Sequence, residues 1–460
     1  MPNRFTIFGA GLSGSLMAVY LARAGHEVEL YERRPDPRRA GSDRGRSINL
    51  ALSVRGIDAL AEVGLADEVL ATAIPMRGRM IHDPAGRLSY QSYSKDGKQA
   101  INSVSRSGLN LTLINAAERL PNIRIHFGTR CEHVDFETNR AEVLDAATGE
   151  KRIVQCADHI IGADGAFSGV RTSMQKREYF NYEQSYLSHG YKELTIPAAA
   201  SASGGRVGGS DAASPWPIEK HALHIWPRGS YMMIALPNAD GSFTCTLFWP
   251  LKGANSFEAL RDESAILRFF QSRFPDAVPL IPDLTRDFKS NPVGSLVTVR
   301  CFPWSVSDRA VLIGDAAHAI VPFFGQGMNA SFEDCKTLAA CLAHAPTDTR
   351  AAFAEYERLR KPNADAIADL ALENFIEMRD KVASPIFRAK KHAEHTLERF
   401  LPGLYLSLYE MISFSTIPYA AARSRAAKQR RAVAGILAAV GLLILLAIWL
   451  LALRRGEVHA

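Results

Sequence analysis

The apolar residues at 5–8 run unbroken, as in a strand buried on both faces. Leu12, Leu16, Val19 and Tyr20 then recur at helical spacing, and the stretch closes at Gly25. Residues 27–32, EVELYE, alternate with period two. Strand, helix and strand are therefore predicted in succession. Residues 159–163 and 310–313 read as two more short buried strands, each entering a turn and a helix, the second helix running through Glu333. Between them, 221–226, 231–236 and 243–248 are joined by Pro-Arg-Gly and Pro-Asn-Ala-Asp-Gly turns and predict an antiparallel meander. Residues 352–420 have helical periodicity, with Arg360, Arg379 and Arg388 on polar faces. The fold class expected is α/β.

The segment 433–453, VAGILAAVGLLILLAIWLLAL, is apolar all round, with no charge and no proline. About 20 such residues cross the ~30 Å hydrocarbon core as a helix, so a C-terminal transmembrane helix is expected. Arg423, Arg425, Lys428, Arg430 and Arg431 precede it, and Arg454 and Arg455 follow. That asymmetry predicts a single span in contact with a lipid bilayer, its N-terminal side cytoplasmic. Glycines at 9, 11 and 14 break the only apolar run near the N-terminus that resembles an export signal, so the body is expected on the cytoplasmic side.

Composition changes the picture at one point. The 460 residues are 47% apolar and 22% charged, an ordinary globular mixture, with a formal net charge of +6. Seven basic residues and no acid lie in 423–455, which leaves 47 basic against 48 acidic side chains elsewhere. The positive charge belongs to the tail, which argues against a nucleic-acid-binding body. The six cysteines show no paired spacing, so neither a disulfide framework nor a metal site is expected.

Gly9-Ala10-Gly11-Leu12-Ser13-Gly14 falls between the first strand and its helix. In that setting Gly9 allows the tight turn, Gly11 lets the backbone approach a pyrophosphate, and Gly14 lets helix pack on strand. The free N–H groups of the helix N-terminus suit the phosphates. Glu32 closes the second strand, where a carboxylate accepts both ribose hydroxyls and repels a 2′-phosphate, so FAD or NAD is preferred there over NADP. A second glycine cluster, GGRVGG at 204–209, follows no strand and reads as a loop.

Two further strand–turn motifs follow in order: Ala163-Asp164-Gly165 through Arg171, then Gly314-Asp315-Ala316-Ala317-His318 with Pro322-Phe323-Phe324-Gly325-Gln326-Gly327-Met328-Asn329. Together with the glycine loop they resemble the three fingerprints of the class A flavoprotein aromatic hydroxylases. The blocks RGRSINLALS at 44–53, PMRGRMIHD at 75–83, HGYKELTIP at 189–197, LHIWPR at 223–228, MMIALPN at 232–238, SFTCTLF at 242–248, the run 314–335 and NFIEMR at 374–379 are similar to the kynurenine-hydroxylating branch of that family, over nearly the whole chain.

The resemblance implies a Rossmann-type FAD-binding domain formed by 1–175 and 290–350. It implies an antiparallel-sheet substrate domain at 176–289 with parts of 75–105, and closing helices at 351–422. A basic linker at 423–432 and the anchor at 433–453 complete the chain. It also implies FAD as the cofactor and NADPH as the co-substrate, bound without a second Rossmann unit. By the same resemblance NADPH would reduce the flavin, O2 would add at its C4a atom, and the resulting hydroperoxide would deliver oxygen to the ring carbon of L-kynurenine ortho to the amine. The product would serve tryptophan breakdown or nicotinamide-nucleotide synthesis.

Carried over by position, the FAD contacts fall on the glycine loop with Ser13, on Tyr31, Glu32, Arg33 and Arg34, and on Ala51, Arg106 and the backbone of Cys131. Asp164, Asp315, Met328 and Asn329 complete them, Asp315 on the ribityl chain. Kynurenine contacts fall on Arg79, Tyr93, Asn374 and Tyr409. A planar guanidinium fork with neutral donors suits a zwitterionic amino acid. No protein nucleophile or acid–base pair is required, because the flavin carries the oxygen chemistry. His318 reads as a packed helix histidine. A related flavin aromatic hydroxylase with another substrate and a non-catalytic membrane-anchored flavin-binding protein remain open alternatives. NADPH oxidation stimulated by kynurenine separates them.

Overall fold

The computed structural model describes residues 3–39, 49–94, 97–199, 215–376 and 405–456. Contacts divide the chain into two compact units, Met1–Arg388 and Ala389–Ala460.

In the first unit, a six-stranded sheet has the order Ser305–Val306, Ala310–Leu312, His159–Gly162, Arg4–Phe8, Glu27–Tyr31, Ile123–His126. All neighbours are parallel except the first pair. Phe5, Ile7, Leu30, Ile160, Ile161 and Val311 are fully buried in it, as the unbroken apolar runs require. The helix Leu12–Arg23 is the crossover between the first two strands. The expected strand–helix–strand unit is present, and the sheet brings the ends of the 4–8, 159–162 and 310–312 strands side by side.

A second, seven-stranded sheet has the order Gly294–Phe302, Asn181–Ile196, Phe243–Pro250, Met232–Pro237, Ala222–Pro227, Gly78–His82, Leu88–Ser92. The meander of 222–250 is antiparallel as expected. The sheet as a whole is not: Ala222–Pro227 pairs in parallel with Gly78–His82, so the sheet is mixed. Gly294–Phe302 also belongs to this sheet, so the division expected at residue 290 does not follow sheet membership.

Alternation along these strands builds two cores. Trp226, Met233, Leu247 and Trp249 face Phe270, Phe274 and Phe288 on one side. Their neighbours Ile225, Met232 and Phe248 face Val321, Phe323, Ala371 and Phe375 on the other, with Ile81 and Leu223 at the margin.

The helix after the third motif is longer than predicted, running Gly327–His344. Thr349–Ile376 is helical, as expected for its part of 352–420, whereas 405–407 is not. Arg360 departs from its predicted polar face and is buried. Arg379, Arg388 and the 204–209 glycines lie outside the described residues.

In the second unit, Leu408–Ser413 and Tyr419–Gly456 are helices. The basic stretch 423–432, expected as a linker, is one continuous helix with the apolar segment. Its Ala, Arg, Lys and Gln residues are strong helix formers without an interrupting Gly or Pro.

Candidate active site

The glycine loop lies where strands Arg4–Phe8 and His159–Gly162 end. Gly9 has φ +102°, and a Cβ there would sit 2.4 Å from Ala163 O, so the first motif rests directly on the second. A Cβ on Gly14 would meet Gly9 O at 1.8 Å, which fixes helix against loop. At Gly11 a Cβ would meet nothing within 4 Å, and no side chain caps the helix it begins. The loop therefore offers open space and uncapped amides, the arrangement that takes a pyrophosphate.

Glu32 is 9% exposed beside this loop. Its Oε2 accepts from Ala10 N at 2.8 Å and its Oε1 from Arg34 N at 2.9 Å. Each oxygen keeps a lone pair for a ribose hydroxyl. Arg33 and Arg34 are exposed, whereas the Tyr31 ring is buried, stacked on His126 at 4.6 Å, with its carbonyl accepting from Gly9 N.

In the second motif, Asp164 Oδ2 accepts from Gly169 N at 2.7 Å and Val170 N at 3.3 Å. Burial raises its pKa. Its Oδ1 is buried with no hydrogen-bond partner among the described residues. An orphaned acceptor beside the glycine loop fits a site built for a polar ligand. A Cβ on Gly169 would lie 2.4 Å from Cys131 O, which brings the Thr129–Asp135 strand to the motif. The Cys131 side chain is buried and burial pushes its thiol up, so only its backbone is available.

Arg171 ties the second motif to the third, donating to Ala166 O at 2.6 Å and Ala316 O at 2.8 Å. Gly314, φ +58°, would place a Cβ 2.6 Å from Ser13 Oγ, so the third motif also touches the glycine loop. Asp315 follows, half-buried, as the first residue of the short helix Asp315–His318.

Asn329 is fully buried and its amide is spent on backbone: Oδ1 accepts from Ser53 N at 2.9 Å, and Nδ2 donates to Ala51 O and Gly325 O, both at 2.9 Å. Two segments far apart in sequence, 51–53 and 325–329, are clamped there. The first turn of Gly327–His344, which includes buried Met328, has no side-chain cap. A cofactor contact from Met328 or Asn329 is thus a backbone one. Burial and then the charge of Glu193 raise the Tyr191 phenol at the margin of the second apolar core, and Arg106, exposed at the start of Arg106–Glu118, partly offsets them.

Arg79 shares a strand face with Ile81 and so borders that core. Its guanidinium lies 5.7 Å from the centre of the Tyr93 ring. On the opposite wall Asn374 Nδ2 donates to Phe323 O at 2.7 Å, and Phe323 stacks on Phe375 at 4.3 Å. Arg79, Tyr93 and Asn374 are all half-buried. Tyr409 belongs to the second unit, in Leu408–Ser413, with Phe414 edge-on at 6.0 Å.

A family model described as an FAD binding domain matches residues 4–371. Kynurenine 3-monooxygenase of Myxococcus xanthus (strain DK1622) is 52% identical over 414 residues, 90% of this chain and 86% of that protein. The chain belongs to the kynurenine 3-monooxygenase family. The namesake of Salinispora tropica is 48% identical over 99% of this chain and 97% of its own, and that of Dictyostelium discoideum 46% over 91% and 89%. Among solved structures, the tetrameric form of 2-methyl-3-hydroxypyridine-5-carboxylic acid oxygenase shares the fold. Its TM-score is 0.64 at 21% identity, over 84% of this chain and 94% of that one. The protein is thus an FAD-dependent monooxygenase with the α/β FAD-binding aromatic hydroxylase fold.

Sequence reasoning missed the support beneath the third motif of this family. Asp334, fully buried, accepts from Gly314 N at 2.9 Å and His318 Nε2 at 2.5 Å through one oxygen, and from Arg360 Nε at 2.7 Å through the other. Arg360 continues to Glu333 at 3.1 Å, and Glu333 to fully buried Arg55 at 2.6 Å. His318 is a packed residue, as expected, but also an ion-pair partner.

Burial alone would raise the Asp334 carboxyl, but the charges of His318 and Arg360 outweigh it and hold the pKa below the ordinary range. A carboxylate depressed on folding contributes stability that is complete above its unfolded value, near ~3.9, and lost as pH falls through the folded one. Asp334→Asn is expected to lose ~3–5 kcal/mol, the usual cost of orphaning a buried charge. Urea unfolding across pH checks both points. The unsubstituted protein should lose stability below about pH 4 more steeply than the variant.

Proposed function

We propose that the protein hydroxylates L-kynurenine at ring carbon 3, giving 3-hydroxykynurenine at the expense of NADPH and O2. Bound FAD supplies the electron transfer and the oxygen activation. What the chain's own residues contribute is binding, orientation and exclusion of water. The Gly9–Gly14 loop and the uncapped amides at 11–14 hold the pyrophosphate, Glu32 the adenosine ribose and Asp315 the ribityl chain. Ser13, Ala51, Arg106, Cys131 and Asp164 would contact the cofactor between them, and Arg33 and Arg34 would contact its adenosine part. The first-turn amides at Met328 and Asn329 would hold the flavin where the helix dipole favours negative charge. Arg79 pairs with the substrate carboxylate, and Tyr93 and Asn374 add neutral hydrogen bonds. The apolar face of Ile225, Met232, Phe248, Phe323 and Phe375 keeps water from the reacting ring.

The observation that carries this reading is a half-buried guanidinium beside Tyr93 at the edge of an apolar wall, in a chain about half identical to named kynurenine 3-monooxygenases. Anaerobic bleaching of the bound flavin by NADPH tests it. L-kynurenine is expected to accelerate the bleaching, and an identical rate without it would contradict the reading.

The same reading extends to a single membrane span at 433–453, with the catalytic unit cytoplasmic and the basic stretch 423–432 at the anionic lipid surface. The helix over Tyr419–Leu446 is long enough to cross a bilayer and holds an 18-residue window of mean hydropathy 1.7, and Leu442 and Leu445 are 72% and 66% exposed. Full-length protein is expected to sediment with membranes, resist extraction by high salt and dissolve in detergent. Protein that stays in the supernatant without detergent would overturn the span.

A further inference from the structure

The far face of the seven-stranded sheet holds a chain of titratable groups that the chemistry above leaves unused. His82 ends the strand Gly78–His82, and its side chain points away from the face that carries Arg79 and Ile81. Its Nε2 lies 2.8 Å from His224 Nδ1, and its Nδ1 lies 2.6 Å from Asp276 Oδ2. The ring stacks on Trp226 at 3.9 Å, and Trp226 Nε1 donates to the same Asp276 oxygen at 2.8 Å. His82 and His224 are each 1% exposed.

The protons in this chain can be assigned from its ends. His224 Nε2 lies 2.8 Å from Glu219 O, a carbonyl that only accepts, so that nitrogen carries a proton. The three contacts place two rings between two acceptors and need three N–H groups, one more than two neutral imidazoles hold. Burial disfavours the charge on His224, whose Nε2 faces a carbonyl rather than a carboxylate, so that ring is neutral and its Nδ1 is an acceptor. His82 Nε2 must then donate to it. At the other end, burial alone would raise the Asp276 carboxyl, but the hydrogen bonds from His82 and Trp226 outweigh it and hold it below the ordinary range. A carboxylate oxygen that already accepts from Trp226 accepts from His82 Nδ1 as well. Both nitrogens of His82 therefore donate. A neutral His82 has one N–H, and would set a lone pair against a lone pair at one contact or the other.

The remaining charges near the pair are accounted for. Arg228 Nη1 donates to His82 O at 2.9 Å and adds its charge beside Asp276. Arg228 in turn feels Asp83, Tyr231 and Arg273. Asp83 is paired with Arg87 at 2.7 Å, and the Glu219 carboxylate accepts from His221 N at 2.7 Å.

The chain joins three segments. It ties strand Gly78–His82 to strand Ala222–Pro227, in the parallel pairing that sets Arg79 opposite Leu223, and to the loop after helix Glu263–Arg273. We propose that His82, held as an imidazolium between Asp276 and His224, is a positioning residue that fixes the strand from behind, and so the place at which Arg79 presents its guanidinium to the substrate carboxylate. The inference rests on the reading of Arg79 given above.

Two measurements on the full-length, FAD-loaded protein in detergent test it. Histidine ring-nitrogen NMR at neutral pH, with His82 assigned through His82→Gln, should show both His82 nitrogens protonated. A singly protonated ring would overturn the proposal. Asp276→Asn should raise the KM for L-kynurenine about tenfold, with kcat at saturating kynurenine and FAD per chain unchanged. An unchanged KM would also overturn it. Arg79→Met run in parallel separates the two readings. If that variant keeps its KM, the Arg79 role fails, while the ring-nitrogen result still decides the state of His82.

Discussion

Replacing Arg79 by Met should raise the KM for L-kynurenine about a hundredfold and leave the bound flavin untouched. Methionine keeps an apolar stem of similar length on the strand Gly78–His82, so the sheet pairing with Leu223 and Gln91 survives. What is lost is a bidentate, charge-assisted pair with the amino-acid carboxylate, worth ~3 kcal/mol in a half-buried site, or about two powers of ten in affinity. The Tyr93 ring, 5.7 Å from the guanidinium, loses a cation–π partner but keeps its backbone bond to Arg77 O at 2.9 Å. Flavin reduction by NADPH should also lose its stimulation by kynurenine. Steady-state kinetics and the flavin absorbance of the purified variant read both effects, and a KM equal to that of the unsubstituted protein would remove Arg79 from substrate binding.

Glu32→Ala is expected to weaken FAD by roughly 10–100-fold, from the loss of one charge-assisted hydrogen bond worth ~1.5–3 kcal/mol. The structure adds a second route to the same outcome. Glu32 also accepts from Ala10 N and Arg34 N, so its removal loosens the glycine loop itself. Glu32→Gln discriminates between the two. It retains an acceptor for one of the two amides and loses the charge, and should fall between the unsubstituted protein and the alanine variant. Equilibrium dialysis of FAD measures the series. Alanine protein that purifies with full, tightly held flavin would show that Glu32 does not hold the ribose.

The parts of the fold that were legible in the sequence are those written locally. The unbroken apolar strand before Gly9, the helical spacing through Tyr20 and the alternation at 27–32 each lie within a dozen residues. The meander at 222–250 is also local, because its turns specify antiparallel return. The parallel pairing of Gly78–His82 with Ala222–Pro227 joins strands far apart in sequence, and no periodicity in either announces its partner. Arg360 was misplaced for a related reason. Its charge reads as a solvated face in any helical wheel, yet Asp334, 26 residues earlier, holds it in the core. The one available signal was paired acids, Glu333 and Asp334, on a helix otherwise rich in apolar residues. At the site, the three motifs were legible because glycines must stand where backbone meets backbone, as Gly9 does at Ala163. The role of Asn329 was legible only in part. Its position was found, but its amide is spent on Ser53, Ala51 and Gly325, which only the folded chain brings within reach.

The central claim, hydroxylation of L-kynurenine by a flavin held on these three motifs, is tested most directly by its product. The full-length protein in detergent is supplied with NADPH, isotopically labelled O2 and L-kynurenine, and the product is identified by mass and by ring position. The account predicts kynurenine-dependent NADPH oxidation with one labelled oxygen on ring carbon 3, ortho to the amine. NADPH oxidation indifferent to kynurenine, or label at another position, would contradict it.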